Sequence, residues 1–461
     1  MTRKNGESTV STKENLQLSG LRKRIATIDG VEECNLNRDN IIESSKEIGR
    51  KVSLRVDHHW KSSNDTKSGP IDVIDMFSGC GGASAGFKMV NSVLPSYKIV
   101  GAVDIDEISN DTYRENFGVE PDEISITDLA NDNEKIDQFL EESGRREGHP
   151  LVLIGCAPCQ GFSSHRNGEE DDRNSLFIDF VDVARYIEPD AILMENVPEI
   201  LSDGYWSYVS RAREKLKRVG YKVHIGVHNA ARFGVPQERF RAVIIAMKKS
   251  FRPPIGHLAR GEFKTVRDAI GDLPEVEAGE KVESHPLHYS ANHQESTLEY
   301  MRAVEKDGGN RPPDVGPDSL KRASKKQGKP AYEDVYGRLW WDRPAITITG
   351  HARNPASGRF THPELDRALT VREAALLQGF PSQFWFSGSL GQRFIQLGNA
   401  VPPPMAACIA SSILGELIAC GAESMDRGIT QSVGTSFSRL IPSLKSGDGS
   451  EMLTKQLSLE L

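Results

Sequence analysis

The amino-acid sequence predicts an α/β protein with a mostly parallel, doubly wound sheet and a second, smaller domain. Six apolar runs of five to seven residues begin at residues 71, 98, 151, 191, 221 and 241. Longer mixed segments follow most of them, a pattern typical of parallel strands joined by crossover helices. After residue 250 the alternation gives way to sequence interrupted by Pro and Gly, which indicates a different domain.

These changes of pattern divide the 461 residues into five segments. The segments are a polar, partly helical extension at 1–68, the main α/β domain at 69–252, the second domain at 253–365, a helical return segment at 366–425 and a flexible Ser- and Gly-rich tail at 426–461.

Composition restricts the class of protein. The net charge is −8, from 57 basic and 65 acidic residues, so binding to nucleic acid requires a local basic surface. Six scattered cysteines give no disulfide framework and fit a reducing compartment. The chain shows neither a signal peptide nor a run of 18 apolar residues. We therefore expect a soluble, cytoplasmic, monomeric protein without a membrane segment.

A glycine-rich turn follows the first predicted strand. Gly79, Gly81 and Gly82 precede a helix, and Asp104 ends the second strand 22 residues after Gly82. Such a turn lets a nucleotide-like ligand approach the backbone, and the later acid can hold ribose hydroxyls. Ser84 replaces the third Gly of the dinucleotide pattern, so a nucleoside without pyrophosphate fits better, and S-adenosylmethionine is the candidate. A plain tight turn is the alternative.

Cys159 follows the third strand directly, at the sheet edge where α/β proteins place their chemistry. Its thiol is a candidate nucleophile. A redox pair with Cys156 and an inert buried cysteine are alternatives. A zinc site would need a second cysteine pair at ligand spacing, which this sequence lacks, so we expect no metal.

Polar residues also follow the fourth strand and precede the sixth. Glu195 ends the fourth strand, where apolar walls would raise the pKa of its carboxyl and let it bind a ring nitrogen. An exposed acid at a helix N-terminus is the alternative. Gln237, Arg239 and Arg241 alternate along the start of a strand and share one face. They suit phosphate or carbonyl oxygen, or form a surface row of salt bridges.

Together these residues resemble the cytosine-5 DNA methyltransferase family, of the bacterial, S-adenosylmethionine-dependent type. The ordered motifs are DMFSGCGG at 75, ENFG at 115, PCQGFS at 158, ENV at 195, GVPQERFR at 234, RALTVREAALLQGFP at 367 and QLGNAVPPP at 396. The resemblance implies a Rossmann-like catalytic and cofactor domain at 69–252, target recognition at 253–365 and completion of the catalytic domain by 366–425.

The resemblance also implies residue roles. Cys159 is the nucleophile, Glu195 contacts the cytosine N3 edge, and Arg239 and Arg241 hold the base and backbone, with Gln237 beside the DNA. The implied cofactor residues are Phe77, Gly79, Cys80, Gly81, Gly82, Asp104, Ile105, Asp128, Pro158 and Asn399. Three positions depart from the family pattern: Asp104 in place of Glu, Ile105 in place of an aromatic residue, and Cys-Ala before Pro158.

The second domain has segregated charge. Residues 273–320 carry ten acidic and four basic residues, whereas residues 320–360 carry three acidic and nine basic ones. The basic residues are Lys321, Arg322, Lys325, Lys326, Lys329, Arg338, Arg343, Arg353 and Arg359. With Tyr332, Tyr336, Trp340 and Trp341 interleaved, this segment is the expected phosphate-facing surface for double-stranded DNA. A solvated lysine loop is the alternative.

Two other functions remain compatible with the sequence: an RNA (tRNA) cytosine-5 methyltransferase on the same scaffold, and a thiol-disulfide oxidoreductase that uses Cys156 and Cys159. A cognate restriction endonuclease acting on the same site is a possible partner of the DNA enzyme.

The composition of residues 1–67 suggests no contact with cofactor or base. Deletion of this segment is therefore expected to leave methyl transfer within a few fold. Radiolabelled methyl transfer by the soluble deletion variant tests the expectation, and loss of transfer would show that the segment belongs to the active enzyme.

Overall fold

The computed structural model of the protein describes residues 18–25, 37–64, 69–158, 175–327, 331–419, 425 and 427–434. Its strands are β1 Ile71–Met76, β2 Tyr97–Val103, β3 Leu151–Gly155, β4 Ala191–Asn196, β5 Lys222–Asn229 and β6 Phe240–Met247. They form one sheet in the order β2-β1-β3-β4-β6-β5. Each strand coincides with one of the six apolar runs, and the predicted α/β class with a mostly parallel sheet is confirmed.

Strand β6 runs against its neighbours. Strands β2, β1, β3 and β4 are parallel, whereas β6 pairs antiparallel with both β4 and β5. Only ten residues join β5 to β6, too few for a helical crossover, so the chain turns back instead. As a result the beginning of β6 lies beside the end of β4, with Val243 opposite Glu195.

Helices cover both faces of the sheet. From residue 37 onward the α-helices are α1 Arg38–Leu54, α2 Val56–Ser63, α3 Gly82–Val90, α4 Glu107–Phe117, α5 Ile126–Asn131, α6 Asn133–Glu142, α7 Leu176–Ile187, α8 Trp206–Arg218, α9 Val266–Ile270, α10 Glu295–Arg302, α11 Asp318–Gln327, α12 Val371–Leu377, α13 Leu390–Asn399 and α14 Pro403–Ile418, of which α9, α10 and α11 belong to the middle region. Alternate side chains of β3 enter two cores: Val152 and Ile154 face α1, α3 and α14, while Leu151 and Leu153 face α7 and α8. The sheet is therefore doubly wound.

The described part of the N-terminal segment packs into the core of the protein, which the prediction of an extension did not include. Residues 18–25 are helical, and α1 and α2 bury Ile42, Val52 and Trp60 in the first core. A Cβ on Gly49 would lie 3.0 Å from the Cα of Cys408, so α1 and α14 pack backbone to backbone. The sequence did not predict this packing because charged residues on the other face of α1 separate the apolar residues that repeat at helical spacing, which lowers the mean hydropathy of the segment.

The return segment is a core element. Helix α14 lies against α3, where a Cβ on Gly86 would meet the Cβ of Ala406 at 2.5 Å. Among the described residues, one stretch, Leu390–Ile418, is long and apolar enough to cross a membrane, but 89% of its apolar window is buried inside the fold. It joins α13 and α14, and its composition is that of a core helix.

Part of the predicted flexible tail is also ordered against the sheet. Gly428 forms a β-bridge with Ile225 on the edge strand β5, and Ile429 N–H donates to the Ile225 carbonyl at 2.9 Å. Ile429 and Val433 are buried in the second core. The prediction of a flexible tail is therefore wrong for residues 427–434, because two apolar side chains cover an otherwise exposed sheet edge.

The middle region has short helices and few ladders, and buried arginines satisfy its loop carbonyls. Arg338 donates to the carbonyls of Met301 and Val304, at 2.8 and 3.1 Å, and Arg359 donates to the carbonyl of Gly308 at 3.0 Å. Both arginines are at most 2% exposed. They belong to the basic segment that was predicted to face phosphate, so for these two residues that prediction is wrong.

The packing of α1 and α2 reverses the expected outcome of deleting residues 1–67. The deletion would expose the apolar face of α14, and we expect a soluble fraction and an unfolding temperature well below those of the full chain. In a point version, Ile42→Ala should lower the free energy of unfolding by about 2–5 kcal/mol, whereas exposed Lys51→Ala should change it by less than about 0.5 kcal/mol. Equal effects of the two substitutions in urea unfolding would contradict the packing role of α1.

Candidate active site

One cavity of about 330 Å³ lies at the carboxyl edge of the sheet. The ends of β1 to β4, the start of β6 and helix α13 all contribute to its wall. Open α/β sheets bind their ligands at this edge. The lining residues that were predicted from the sequence are Phe77, Gly79, Cys80, Gly82, Asp104, Ile105, Pro158, Glu195, Arg239, Arg241 and Asn399.

The glycine-rich turn is held against β2 by Asp104. The Asp104 carboxylate accepts hydrogen bonds from Gly79 N–H at 2.8 Å and from Asp106 N–H at 3.0 Å. Burial raises the pKa of this carboxyl. Gly79 has φ +50°, and a Cβ there would meet nothing within 4 Å, so the turn leaves open space over its backbone.

Two predicted cofactor residues do not line the cavity. Gly81 has φ +86°, and a Cβ on it would lie 2.2 Å from the Phe117 ring, so its Cα faces the core. Asp128 is exposed on the first turn of α5. Ser125, the N-cap of α5, and Ile126 line the cavity instead. The N-cap pattern Ser-Ile-Thr-Asp placed the helix start and could have identified Ser125.

The cavity contains buried polar atoms that are available to a ligand. Within the described ranges, the Ser78 hydroxyl and the Gln396 side-chain oxygen accept or donate no hydrogen bond. Both residues line the cavity. Native proteins rarely leave such atoms unpaired, so their position favours a bound group that pairs with them.

Asp75, which sequence reasoning missed as a lining residue, is part of a buried network. Its carboxylate accepts a hydrogen bond from the Ser84 hydroxyl at 2.6 Å, and that hydroxyl lies 2.7 Å from the Tyr113 hydroxyl. Burial raises the pKa of Asp75 to about 7. Ser84, the residue that replaces the third Gly of the dinucleotide pattern, therefore holds this carboxyl.

Glu195 and Arg241 form an ion pair in the wall of the cavity. Arg241 Nε lies 2.9 Å from Glu195 Oε1, although the N–H is not aligned for a regular hydrogen bond. Glu195 is 7% and Arg241 8% exposed. Burial raises the pKa of the Glu195 carboxyl, and the charges of Arg241 and Arg239 oppose that rise. Glu195 is thus the buried carboxyl with a raised pKa that the sequence predicted, and it is not an exposed acid at a helix N-terminus.

Arg239 ties separate parts of the chain together. Its guanidinium donates to the carbonyls of Ile348 at 3.1 Å, Gly398 at 2.9 Å and Ala400 at 3.2 Å. The side chain is 1% exposed, so it is not part of a surface salt-bridge row. Its contacts position the wall of the cavity.

Gln237 does not lie on a DNA-facing surface. The side chain is fully buried, donates to the Leu377 carbonyl at 3.2 Å and accepts from Ile348 N–H at 2.8 Å. Its prediction as a DNA contact is therefore wrong, because backbone groups of two remote segments, at Leu377 and Ile348, enclose its side chain. Lys321, Arg322, Lys325 and Lys326 are exposed on α11.

The cysteine turn is described only up to Pro158. Cys159 and Lys329 lie outside the described residues. Cys156 lines the cavity, and burial together with the charge of Glu195 raises its pKa well above the usual value. A thiol held in this way is protonated near neutral pH and is a poor nucleophile. In the part of the chain that the structure describes, no group of three or more His, Cys, Asp and Glu side chains could hold a metal ion.

Comparison with known proteins gives a consistent family. The sequence model of the C-5 cytosine-specific DNA methylase family matches residues 71–415. The chain is 38% identical over 353 residues to the Type II methyltransferase M1.HphI of Haemophilus parahaemolyticus, covering 75% of this chain and 87% of the relative. It is 33% identical over 347 residues to the Type II methylase M.HgiDII of Herpetosiphon aurantiacus, covering 74% of this chain and 94% of the relative.

Solved structures agree on the fold. A crystal structure titled as a DNA modification methyltransferase from an E. coli prophage superimposes with a TM-score of 0.55 at 22% identity, covering 74% of this chain and 98% of that one. The structure of S. pombe Dnmt2 gives a TM-score of 0.50 at 20% identity, with coverages of 75% and 98%.

Asp75 predicts a specific pH dependence of stability. Its pKa of about 7 exceeds the ordinary value of 3.8, so between these values the folded chain binds more protons than the unfolded chain, and stability falls as pH rises. Asp75→Asn removes this loss. Relative to the native chain, its free energy of unfolding should rise by roughly 2 kcal/mol between pH 5.5 and 7.5 in urea titrations. Exposed Glu123→Gln is the control, and a pH-independent difference for Asp75→Asn would contradict the assignment.

Proposed function

This chain belongs to the C-5 cytosine-specific DNA methylase family and is a DNA (cytosine-5) methyltransferase, and we propose that it acts through a covalent Cys159 adduct on a flipped-out cytosine. The observation that carries the proposal is the buried Glu195–Arg241 pair, which lies in one cavity with the glycine-rich turn and with Pro158, the residue before Cys159. The carboxyl that would bind the base, the residue before the proposed nucleophile and the glycine-rich turn thus line one cavity.

The cavity residues fit S-adenosylmethionine. Asp104 would hold the ribose hydroxyls, Phe77, Ile105 and Ile126 offer apolar walls, and the unpaired Ser78 and Gln396 oxygens supply polar partners. Asn399 lines the same cavity and would be a further contact of the cofactor. When bound, the group supplies an electrophilic methyl on a sulfonium. The fit supports this cofactor over a dinucleotide, whose pyrophosphate would need the glycine that Ser84 replaces.

The residues of the chain account for activation of the cytosine. Carbon C5 of cytosine is a weak nucleophile until a group adds at C6. Addition of the Cys159 thiolate at C6, with Glu195 hydrogen-bonded at N3, gives an enamine whose C5 can accept the methyl group. Loss of the C5 proton and of the thiol then restores the ring. Arg241 keeps the Glu195 carboxyl in place, and the pKa-raising burial of that carboxyl favours the protonated form that donates to N3.

The burial of Glu195 supports base flipping. The residue is 7% exposed, so a cytosine stacked in a duplex cannot reach its carboxyl. Enzymes that act on ring atoms take the base out of the stack into a closed pocket. The sequence left two other functions open, tRNA methylation and thiol-disulfide exchange. Membership of the C-5 cytosine-specific DNA methylase family favours methylation of DNA over both.

Helix α11 and its neighbouring loop support a DNA-facing surface. Four cations, Lys321, Arg322, Lys325 and Lys326, are exposed on this helix. Buried Arg311 binds Ser324 on the opposite side of the helix at 3.1 Å, which fixes the helix to the lobe. Tyr332, 69% exposed at φ +54°, is presented beside the helix. A strained, exposed aromatic residue next to a cationic helix suits a nucleic-acid contact.

The names of the relatives support one further partner. Both are Type II methyltransferases, and we propose that this enzyme works in a restriction system beside an endonuclease that reads the same DNA site. Purified endonuclease from a neighbouring gene should fail to cut DNA that this enzyme has methylated. Cleavage of fully methylated DNA would contradict the pairing.

The covalent step predicts a trapped complex. DNA carrying 5-fluorocytosine at the target should be methylated but retain the enzyme, because fluorine cannot leave as a cation. The complex should require S-adenosylmethionine, survive denaturing electrophoresis and be absent for Cys159→Ser, whose hydroxyl is a far weaker nucleophile than a thiolate. Glu195→Gln should trap about 10²-fold more slowly.

Cys156→Ala is the matched control for this trap and should form the complex. Peptide mapping of the crosslink identifies the attacking sulfur. Attachment of the DNA at Cys156 or Cys80, or efficient trapping by Cys159→Ser, would contradict the proposed mechanism.

The surface on α11 predicts a change in salt dependence. If Lys321, Lys325 and Lys326 neutralise phosphates, replacing all three by Ala should reduce the slope of log affinity against log salt by up to about 2.7, at roughly 0.9 per phosphate. Fluorescence anisotropy with duplex DNA between low and moderate salt measures it. The control variant replaces exposed Lys51, Lys217 and Lys222 by Ala. If both triple variants change the slope equally, the α11 lysines do not contact phosphate and are only solvated surface residues.

A further inference from the structure

The cofactor turn has two sides, and only one of them faces the cavity. Gly79, Cys80 and Gly82 line the cavity. On the other side the Phe117 ring is so close to Gly81 that a Cβ there would lie 2.2 Å from Cε2. Gly81 is the N-cap of α3 and has φ +86°, so the position and shape of the turn depend on where this ring lies.

The Phe117 ring is in turn held by a residue of the N-terminal segment. Trp60 of α2 packs edge to face on Phe117, with ring centroids 5.8 Å apart, and tilted against Phe384 at 5.4 Å. Trp60 is 4% exposed. Aromatic pairs in this geometry add attraction beyond the area they bury, so Trp60 restricts the place of the Phe117 ring.

A second contact connects Trp60 to the helix that begins at the turn. Lys88 of α3 places its ammonium 4.2 Å from the centroid of the Trp60 ring and donates to the Asn116 carbonyl at 2.9 Å. Burial lowers the pKa of this amine to about 8. Trp60 thus contacts both the helix that follows the turn and the ring that lies beneath it.

We propose that Trp60 is a positioning residue for the cofactor turn, which makes helix α2 a working part of the cofactor site. Residue 60 lies before residue 71, where the family match begins, so the role belongs to a segment outside the family region. The inference rests on the proposed binding of S-adenosylmethionine in the cavity. The path of contacts runs from Trp60 through Phe117 to Gly81.

Substitution of Trp60 should separate binding from chemistry. In the full chain, Trp60→Ala is expected to weaken binding of S-adenosylhomocysteine about tenfold in calorimetry and to raise the KM for S-adenosylmethionine equally. The kcat at saturating cofactor should stay within about twofold, because no group that touches the cytosine has changed. Trp60→Phe, which keeps a ring against Phe117, should recover most of the affinity. Unchanged binding by Trp60→Ala would overturn the proposal.

Controls separate positioning from general loss of stability. Ile42 is 3% exposed and lies against Gly415 of α14, and Ile42→Ala should lower the unfolding temperature without changing the cofactor affinity. Equal weakening by Ile42→Ala would assign the effect to stability. Should Trp60→Ala fail to fold, Trp60→Leu serves in its place.

A double-mutant cycle tests the path itself. Phe117→Leu should weaken cofactor binding as Trp60→Ala does, and the variant that combines Trp60→Ala with Phe117→Leu should bind about as weakly as Phe117→Leu alone, since both substitutions act through one ring. Additive effects would contradict action through Phe117. If the native enzyme binds no S-adenosylhomocysteine, the proposed cofactor fails, whereas binding that is indifferent to residue 60 refutes the positioning role alone.

Discussion

The buried guanidinium of Arg239 is the interaction on which the active site depends. Arg239 directly precedes β6 and donates to carbonyls of Ile348, Gly398 and Ala400, which belong to the middle region and the return segment. Taking a charge out of water is costly, and only several hydrogen bonds make it tolerable. Those bonds join three distant parts of the chain around one cavity. The antiparallel direction of β6 is what brings this residue, and Arg241 with it, to the edge where β4 ends at Glu195.

Close backbone packing completes the cofactor side. Gly86 lets α3 touch Ala406 of α14, and Gly49 lets α1 touch Cys408 of the same helix. Helix α1 from the N-terminal segment, α3 from the start of the main domain and α14 from the return segment therefore form one layer. Trp60 and Phe117 extend that layer to the underside of the glycine-rich turn. Because protein interiors transmit displacement through packed side chains, the shape of the turn depends on residues far from it in sequence.

The second domain uses charge in two opposite ways. Arg338 and Arg359 are buried and replace the ladder hydrogen bonds that a loop-rich lobe lacks. The cations of α11 are exposed, and Arg311 anchors their helix from the inside through Ser324. Arginine suits the interior task because its planar fork serves several carbonyls at once. A count of basic residues in the sequence includes both the buried arginines and the exposed cations. It therefore overestimates the number of positive charges that can face phosphate.

The sequence by itself determined the six strands, the glycine-rich turn, Asp104 and Glu195, because apolar runs and turn residues are local signals and parallel strands end at a common edge. Tertiary structure decided the rest. Gln237 and Arg338 are polar residues whose partners are backbone groups remote in sequence, so no local pattern shows that they are buried. Gly81 faces Phe117 and Ser125 replaces Asp128 at the cavity, because the direction of a side chain depends on the packing of the turn or cap. Helix α1 joined the core because α14 supplies the apolar surface that it covers, and α2 joined it by packing against α3 and the Phe384 ring.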